Sequence, residues 1–231
     1  MSTKIFCDIA DIKNIRKFNK KKLVKGFTTN PSLMRKAGAK DYKDYAKKIL
    51  NICKTKPVSL EVFADTNDEM LEQALKINSW GKNVFVKIPI TNSKGKSSKN
   101  LIKKLINKKI KLNITAIMTV SQIKHLMSLN FKSECILSIF CGRIADSGVD
   151  PKITIKNVKK LTKNKRNIKL LWASCRELYN IIEAEKTGCD IITVPNEILK
   201  KMKLFGKNLK SYSLETVKDF YKDAVSAGFK I

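Results

Sequence analysis

A single lysine lies within the most apolar, strand-like stretch of the sequence. Lys87 stands in the run from Asn83 to Pro89, between the apolar residues Val86 and Ile88. An amine on a solvated helix is protonated at neutral pH, whereas desolvation between apolar neighbours favours the neutral form. A neutral amine can attack a carbonyl and form a Schiff base. Lys87 is therefore a candidate nucleophile; the alternative is a strand-end lysine whose ammonium group reaches water.

Other polar side chains follow other apolar runs of the chain. They supply carboxylates, amides, hydroxyls and guanidinium groups, at Asp8, Thr28, Thr29, Asn30, Glu61, Asn113, Thr115, Ser138, Arg143, Ser174 and Arg176. Any one of them could simply cap a loop. Brought together with an amine, they could provide the acid, the base and the anion-binding groups of an active site.

Arginine is scarce in this chain, where lysine is the usual cation. Only five arginines occur, and Arg143 and Arg176 each follow a predicted strand. A guanidinium group binds phosphate oxygens in a bidentate manner, whereas lysine offers a point charge. Together with the Ser174 hydroxyl, the two arginines predict an anion pocket. The alternative for either arginine is an ion pair at the surface.

The elements that would position these residues alternate regularly between strand and helix. Apolar, β-rich runs predict strands over Lys4–Asp8, Val24–Thr28, Val58–Phe63, Val84–Ile88, Lys111–Thr115, Cys135–Phe140, Ile168–Ala173 and Asp190–Val194. Amphipathic spacing predicts helices around Tyr42–Cys53, after a Thr66–Glu69 capping box, and over Ser98–Lys108, Ser121–Leu129, Pro151–Leu161, Glu177–Lys186 and Ser213–Ala224.

Eight strands alternating with helices over this length predict an α/β protein with a closed (β/α)₈ TIM barrel. We expect one domain over residues 1–231, ending in a C-terminal helix. The competing fold is an open, doubly wound sheet. That fold is disfavoured because neither a G-x-G-x-x-G loop nor a phosphate-binding P-loop follows any strand. In a barrel, the polar residues that end the strands meet at one mouth.

The formal charge of +28 raises the question of nucleic-acid binding. The lysines are spread over every predicted helix instead of forming one stripe interleaved with aromatic residues, which favours solvated surfaces over a nucleic-acid site. No apolar run reaches the roughly 18 residues of a membrane helix, and the N-terminus lacks the pattern of a signal peptide. The expectation is a soluble, cytoplasmic protein with no membrane partner.

The cysteines do not predict a metal site. Six cysteines occur without a C-x-x-C pair, and the only histidine, His125, lies in a helical pattern. Several of the cysteines lie in or beside predicted strands, where a thiol packs as a small apolar group. We expect no metal and no cofactor.

Seven motifs, in order along nearly the whole chain, resemble the signatures of transaldolases. They are Phe6-x-Asp8-x-Ala10-Asp11, Gly26-x-Thr28-Thr29-Asn30-Pro31-Ser32-Leu33, Ser59-x-Glu61-Val62, Val86-Lys87-Ile88-Pro89, Asn113-x-Thr115, Gly142-Arg143 and Ala173-Ser174-x-Arg176. The short chain is similar to compact transaldolases and to the related fructose-6-phosphate aldolases.

The resemblance implies a role for each matched residue. Lys87 would form the Schiff base, Asp8 would be the general base of carbon–carbon cleavage, and Glu61 with Thr115 would hold a proton-shuttling water. The implied substrate-binding residues are Thr29, Asn30, Asn113, Ser138, Phe140, Arg143, Ser174 and Arg176. It implies no cofactor or metal, because the imine acts as the electron sink, and it implies a homo-oligomer that binds sugar phosphates.

The resemblance implies transfer of a dihydroxyacetone unit in the pentose phosphate pathway. The donor would be sedoheptulose 7-phosphate or fructose 6-phosphate, and the acceptor erythrose 4-phosphate or glyceraldehyde 3-phosphate. The alternatives are a lyase of the fructose-6-phosphate aldolase type, which has glutamine and tyrosine at the positions of Glu61 and Phe140, a transaldolase for another anionic sugar, and a basic nucleic-acid-binding protein. Ile139, Trp172 and the segment Ala116–Thr119 depart from the family pattern, which leaves the shape of the acceptor pocket open.

Overall fold

Eight parallel strands close into a barrel in the computed structural model, which describes residues 2–231. The strands follow one another around the barrel in chain order: β1 Lys4–Asp8, β2 Val24–Thr28, β3 Val58–Glu61, β4 Val84–Pro89, β5 Leu112–Ile117, β6 Cys135–Ile139, β7 Ile168–Trp172 and β8 Ile191–Pro195. Pairing of β1 with β8 completes the closure. The predicted closed (β/α)₈ barrel is confirmed, and each strand boundary lies within two residues of its predicted position.

Helices occupy the connections between the strands. They are α1 Ile12–Asn19, α2 Pro31–Lys36, α3 Tyr42–Ile52, α4 Asn67–Asn78, α5 Lys99–Asn107, α6 Val120–Lys124, α7 Cys141–Asp146, α8 Pro151–Thr162, α9 Asn180–Lys186, α10 Asn196–Lys200 and α11 Leu209–Ser226, with a 3₁₀ helix over Lys201–Leu204. None of the helices formed by residues 2–231 is long and apolar enough to cross a membrane.

Short polar side chains cap several of these helices. Asp11, Asn30 and Asp41 accept hydrogen bonds from the backbone N–H three residues further on, which satisfies N–H groups that the first turn leaves unpaired. Thr66 caps α4 in the same way, but its hydroxyl donates to the Glu69 carboxylate, so only half of the predicted capping box forms. A full capping box starts α6, between Thr119 and Gln122.

The main differences from the predicted helices lie in short segments. The helix predicted over Ser121–Leu129 ends at Lys124 and continues as turns, and α9 begins at Asn180 instead of Glu177. Helices α2, α7 and α10 have only five or six residues, too few for the apolar spacing of a helix to repeat.

The chain divides into two compact units. The first ends at Leu199 and contains the barrel, and the second runs from Lys200 to Ile231 and contains α11. No residue of α11 is buried. Several of its apolar side chains, among them Leu214, Val217 and Phe220, are more than half exposed.

The barrel interior is filled in layers by residues that alternate along the strands. One layer is apolar and contains Phe6, Phe85, Ile136, Leu171 and Ile191. The Phe6 ring covers Gly26 on β2, where a Cβ atom would lie only 2.6 Å from the ring. Two residues further along the same strands come Asp8 and Lys87, so this apolar layer forms a floor below the carboxyl end of the barrel.

Candidate active site

A cavity of about 190 Å³ opens at the carboxyl end of the barrel strands. Ten of the residues that the sequence predicted for the site line it: Asp8, Thr28, Asn30, Lys87, Thr115, Ser138, Phe140, Arg143, Ser174 and Arg176. They come from six different strands or the segments that directly follow them. The parallel strands therefore bring residues that are up to 168 positions apart in sequence to one cleft.

Lys87 is held in the barrel interior by two polar contacts. Its Nζ atom lies 3.1 Å from Glu61 Oε2 and donates to the backbone oxygen of Thr29 at 3.2 Å. The lysine is only 7% exposed. Glu61 and Lys87 are paired in register on the neighbouring strands β3 and β4, which explains why their side chains meet. A carboxylate within hydrogen-bond distance of an amine can take up the proton that the amine must lose before it attacks a carbonyl.

Asp8 ends β1 and faces the same cavity. Its Oδ1 atom accepts a hydrogen bond of 2.6 Å from the Thr28 hydroxyl, which also lies 2.5 Å from the hydroxyl of Thr193. Burial raises the pKa of the Asp8 carboxyl, and the positive charge of Lys87 and the Thr28 hydrogen bond oppose part of that rise. A carboxyl group whose pKa lies above its usual value is suited to take and return a proton near neutral pH.

Below the cavity, three buried polar side chains form a chain across the barrel. The Ser138 hydroxyl donates to Asn113 Oδ1 at 2.6 Å, and Asn113 Nδ2 donates to the Ser59 hydroxyl at 2.9 Å. Asn113 is fully buried, so each of these polar groups needs its partner. The network fixes the orientation of the Asn113 amide and leaves Ser138 at the cavity wall.

Thr115 presents a buried hydroxyl that has no hydrogen-bond partner among residues 2–231. It lines the cavity and precedes Ala116, whose φ of 60° marks a shift in the pairing of β5 with β6. Buried hydroxyls are nearly always satisfied by protein, water or ligand. A water or a substrate hydroxyl in the cavity is therefore the natural partner of Thr115.

Two arginines stand at the rim of the cavity. The Arg143 guanidinium lies 5.5 Å from the centre of the Phe140 ring, and Arg176 forms an ion pair with Asp146. Both arginines are exposed. Ser174 lies beside them with a φ of 61°, a left-handed conformation that few non-glycine residues adopt. Gly142 permits it, because a Cβ atom there would collide with the Ser174 carbonyl.

Three predicted residues do not line the cavity. The Thr29 hydroxyl donates to the Ser59 backbone oxygen at 2.9 Å, so the contact of this residue with the site is made by its carbonyl group, which accepts from Lys87. Asn113 and Glu61 act on the cavity through Ser138 and Lys87. Asn30 has two roles, because its Oδ1 atom caps α2 while the residue lines the cavity.

Two residues that support the site were not expected from the sequence. They are Thr193, whose hydroxyl lies 2.5 Å from that of Thr28, and Tyr42, whose hydroxyl bonds both backbone groups of Glu61. Thr193 did leave a signal, since it is the only polar side chain in the apolar strand β8 and alternates with the inward-facing Ile191. No such signal marks Tyr42, which looks like part of an ordinary amphipathic helix.

Two departures from the family pattern lie away from the cavity. Ile139 and Trp172 are paired in register on β6 and β7, and both are buried. They alternate with Ser138 and Ala173, which line the cavity, so they face outward from the barrel. Neither residue lines the cavity, so neither departure changes the cavity wall directly.

The cysteines pack inside the protein. All six are free and buried, and burial raises the pKa of Cys175 to about 12. Within residues 2–231, no three histidine, cysteine or carboxylate side chains group closely enough to hold a metal ion. His125 is exposed at the end of α6.

Fold and site together define a (β/α)₈-barrel protein that carries an amine, two carboxylates and two guanidinium groups at the carboxyl end of its strands. The sequence profile described as "Transaldolase/Fructose-6-phosphate aldolase" matches residues 5–231. The chain belongs to this family and is an aldolase-type enzyme.

Curated relatives agree with this assignment. The chain is 35% identical over 201 residues to a "Probable transaldolase" of Nitrosopumilus maritimus, with 86% of each chain covered. It is 36% identical over 200 residues to a "Probable transaldolase 2" of Listeria monocytogenes, covering 86% of this chain and 88% of the relative.

Solved structures show the same barrel at low sequence identity. A dihydrodipicolinate synthase from Rhodopseudomonas palustris matches with a TM-score of 0.57 at 13% identity, over 97% of this chain and 80% of the other. An orotidine 5'-monophosphate decarboxylase from Metallosphaera sedula matches with a TM-score of 0.55 at 12% identity, over 87% of this chain and 91% of the other. These similarities concern the fold alone.

Proposed function

We propose that the protein is a transaldolase that moves a dihydroxyacetone unit between sugar phosphates through a Schiff base on Lys87. The observation that carries the proposal is the position of Lys87 Nζ, buried in the barrel, 3.1 Å from Glu61 Oε2, at the wall of a cavity that also contains Asp8. The donor is sedoheptulose 7-phosphate or fructose 6-phosphate, and the acceptor erythrose 4-phosphate or glyceraldehyde 3-phosphate. The enzyme then serves the pentose phosphate pathway in the cytoplasm.

The first step joins Lys87 to the donor ketone. Glu61 accepts a proton from the ammonium group, and the free amine attacks the carbonyl carbon to give a carbinolamine. Loss of the former carbonyl oxygen as water leaves a protonated imine. The unpaired Thr115 hydroxyl, which can both donate and accept, supports the proposal that Glu61 and Thr115 together hold the water that moves these protons.

Asp8 acts in the second step, which breaks a carbon–carbon bond. Its carboxylate takes the proton from the substrate hydroxyl on the far side of the bond, an aldehyde leaves, and the bonding electrons pass to the imine and form an enamine. The raised pKa of Asp8 makes its carboxylate a better base than an exposed one. Asp8 returns the proton when the enamine attacks the acceptor aldehyde.

The remaining residues bind the substrate in this proposal. Ser138 and Asn30 face the cavity with groups that can orient the hydroxyls of the dihydroxyacetone unit, and Phe140 packs over it. Arg143, Arg176 and Ser174 at the rim bind the phosphate.

Transfer is favoured over release by the character of Phe140. Release of free dihydroxyacetone requires that the enamine carbon be protonated before an acceptor arrives. Phe140 has no hydroxyl, so the side chain that packs at this end of the cavity supplies no proton, and the enamine persists until an aldehyde binds. The second candidate function is the fructose-6-phosphate aldolase reaction. Glu61 and Phe140 both disfavour it, because the resemblance to fructose-6-phosphate aldolases implies glutamine and tyrosine at these positions.

The decisive experiment traps the covalent intermediate. The protein is incubated with fructose 6-phosphate and borohydride, and the adduct is located by peptide mass spectrometry. We expect one reduced adduct on Lys87 in the parent and none in Lys87→Ala. Lys87→Arg is the matched control, because it keeps the charge beside Glu61 but forms no Schiff base. An adduct that persists in Lys87→Arg, or that maps to another lysine, would refute the mechanism.

Transfer and release are then measured in the same preparation. With erythrose 4-phosphate present, we expect product formation to exceed release of free dihydroxyacetone from fructose 6-phosphate by at least about 10-fold, a difference of about 1.4 kcal/mol in barrier. Equal rates would establish the lyase as the correct function. Phe140→Tyr is expected to shift the ratio towards release, because it puts a hydroxyl beside the enamine.

A further inference from the structure

A second cavity, of about 540 Å³, opens at the other end of the barrel, where the strands begin. Its floor is made by the apolar layer that contains Phe6, Phe85 and Ile136. This layer and the Ser59–Asn113–Ser138 network separate it from the candidate active site. We call it the basal cavity.

Six lysines surround the basal cavity: Lys4, Lys25, Lys54, Lys82, Lys111 and Lys169. Among residues 2–231, Glu134 is the only carboxylate that lines it. Three of the lysines lie one alternation below inward-facing residues: Lys4 lies two positions before Phe6, Lys111 two positions before Asn113, and Lys169 two positions before Leu171. These three side chains therefore start from the inner face of the barrel, and all six lysines line the same cavity.

Most of this charge is not neutralised within the protein. Lys111 lies 3.7 Å from Glu134 and Lys169 lies 3.9 Å from Asp190, both long for an ion pair. Across the part of the chain that the structure describes, no carboxylate comes within 4 Å of the ammonium groups of Lys4, Lys25, Lys54 or Lys82. Like charges gathered around one cavity repel each other, and a bound anion would reduce that repulsion.

Helix ends explain only part of this arrangement. Lys54 and Lys82 follow the ends of α3 and α4, where lysines often interact with the free carbonyl groups. Lys4, Lys25 and Lys169 lie on strands, and Lys111 lies directly before one, so that explanation does not apply to them.

We propose that the basal cavity binds a compact anion with several phosphate groups, either a nucleoside triphosphate or a short inorganic polyphosphate. The six lysines around the cavity favour a ligand with several negative charges, because such a ligand can neutralise more than one of them. A cavity of about 540 Å³ has the volume of a small-molecule site. A nucleic-acid strand would instead need an extended basic groove, with aromatic side chains presented for stacking. Here Phe6 and Phe85 are 3% and 6% exposed and form a buried floor.

The test is a titration with inorganic tripolyphosphate. Because the arginine pair at the opposite end of the barrel could bind the same probe, the titration uses Arg143→Gln/Arg176→Gln as the background. We expect one saturable site, weakened at least about 10-fold by adding Lys4→Gln, Lys111→Gln and Lys169→Gln, and weakened by rising salt. The matched control removes the same charge from helix surfaces with Lys17→Gln, Lys48→Gln and Lys124→Gln, and should change the affinity less than about 2-fold.

The proposal would be overturned if both sets of substitutions lowered the affinity for tripolyphosphate equally, or if binding did not saturate. Either result would mean that the probe binds to positive charge spread over the whole surface. Tighter binding of a DNA or RNA duplex at the same phosphate concentration, with loss in the basal variant, would overturn it in favour of a nucleic-acid surface. A titration with adenosine triphosphate distinguishes the two proposed ligands. A higher affinity for it than for tripolyphosphate would identify a nucleotide as the ligand, and an equal affinity would identify a polyphosphate.

A second measurement avoids substitutions altogether. Lysine acylation of the unaltered protein is mapped by mass spectrometry with and without tripolyphosphate. We expect protection of Lys4, Lys111 and Lys169 but not of Lys17 or Lys48. Uniform protection of all lysines, or protection confined to Lys87, would contradict the proposal.

Discussion

The phenol of Tyr42 holds both backbone groups of Glu61. Its hydroxyl donates to the Glu61 carbonyl at 2.9 Å and accepts from the Glu61 N–H at 3.0 Å. Strand β2 pairs with β3 only as far as Ser59, so beyond that residue the edge of β3 that faces β2 has no strand beside it. Tyr42, from α3, takes the place of the missing neighbour. Burial raises the pKa of this phenol well above its usual value, which keeps its proton available for the Glu61 carbonyl.

We therefore predict that Tyr42→Phe disturbs catalysis without touching the substrate. It leaves two backbone groups at the end of β3 without partners and should lower the free energy of unfolding by about 1–2 kcal/mol. Because Glu61 then loses its fixed distance to Lys87, we expect kcat to fall about 10-fold or more while KM changes little. Steady-state kinetics and the rate of borohydride trapping measure both effects.

The matched control for this prediction is Tyr45→Phe. Tyr45 lies on the same helix and its hydroxyl donates to the Ala37 carbonyl at 3.1 Å, away from the cavity. It should cost a similar amount of stability and leave kcat unchanged. If the two variants lose activity in parallel, Tyr42 acts only through general stability.

Asp8→Asn separates the chemistry of the buried carboxylate from its effect on stability. The asparagine can still accept the Thr28 hydrogen bond but cannot act as a base, so we expect kcat to fall by a factor of about 10²–10⁴. In the parent, activity should fall as the pH drops through the raised pKa of Asp8, because the protonated carboxyl accepts no proton. The pH profile of kcat/KM tests this, and an acid limb that persists unchanged in the residual activity of the variant would exclude Asp8 as its source.

The same raised pKa affects stability in the opposite direction: a rising pH should increase activity but lower the free energy of unfolding. Since the folded state raises the pKa of Asp8, it binds a proton more tightly than the unfolded chain, whose aspartates titrate near about 3.9. The contribution of Asp8 to the free energy of unfolding is therefore greatest below this value and decreases as the pH rises through the raised pKa. Asp8→Asn removes that slope, so it should be at least as stable as the parent at neutral pH. Chemical denaturation at several pH values measures the difference.

The sequence predicted the barrel well because its strands are buried on both sides. Runs such as Val84–Val86 are apolar throughout, and eight strands that alternate with helices leave few alternatives to closure. The polar residues that end these runs, such as Lys87 and Asp8, break the apolar pattern and are conspicuous for that reason. Parallel strands then place them at one mouth without further information.

The contacts that hold the site in place were not predictable in the same way. Tyr42 lies on a helix, 19 positions before Glu61, and Thr193 lies 165 positions after Thr28. Neither distance follows a local period, so only the folded barrel shows these pairs. The left-handed backbone at Ser174 was not predictable either. A serine gives no sign of this conformation, which fits only because Gly142 has no side chain.

The exposed face of α11 leads to a prediction about assembly. Leu214, Val217, Phe220, Tyr221 and Val225 recur at three- and four-residue steps, and each is more than half exposed. The family resemblance implies homo-oligomers, and we predict that this face packs against a second copy of the chain. Light scattering should give a mass that is a multiple of 26.2 kDa. Val217→Asp with Phe220→Asp should reduce it to the monomer, and a monomeric parent would contradict the prediction.

Ser174 offers a way to separate phosphate binding from backbone strain. Its φ of 61° is unfavourable for a residue with a side chain, whereas glycine adopts it readily. Both Ser174→Gly and Ser174→Ala remove the hydroxyl proposed to contact the phosphate, so both should raise KM for fructose 6-phosphate several-fold. Only the glycine variant relieves the strain, and it should be about 1 kcal/mol more stable than the alanine variant. Equal KM values in the parent and in both variants would remove Ser174 from the phosphate site, whereas a higher KM in the alanine variant alone would show that the residue acts through the shape of the loop.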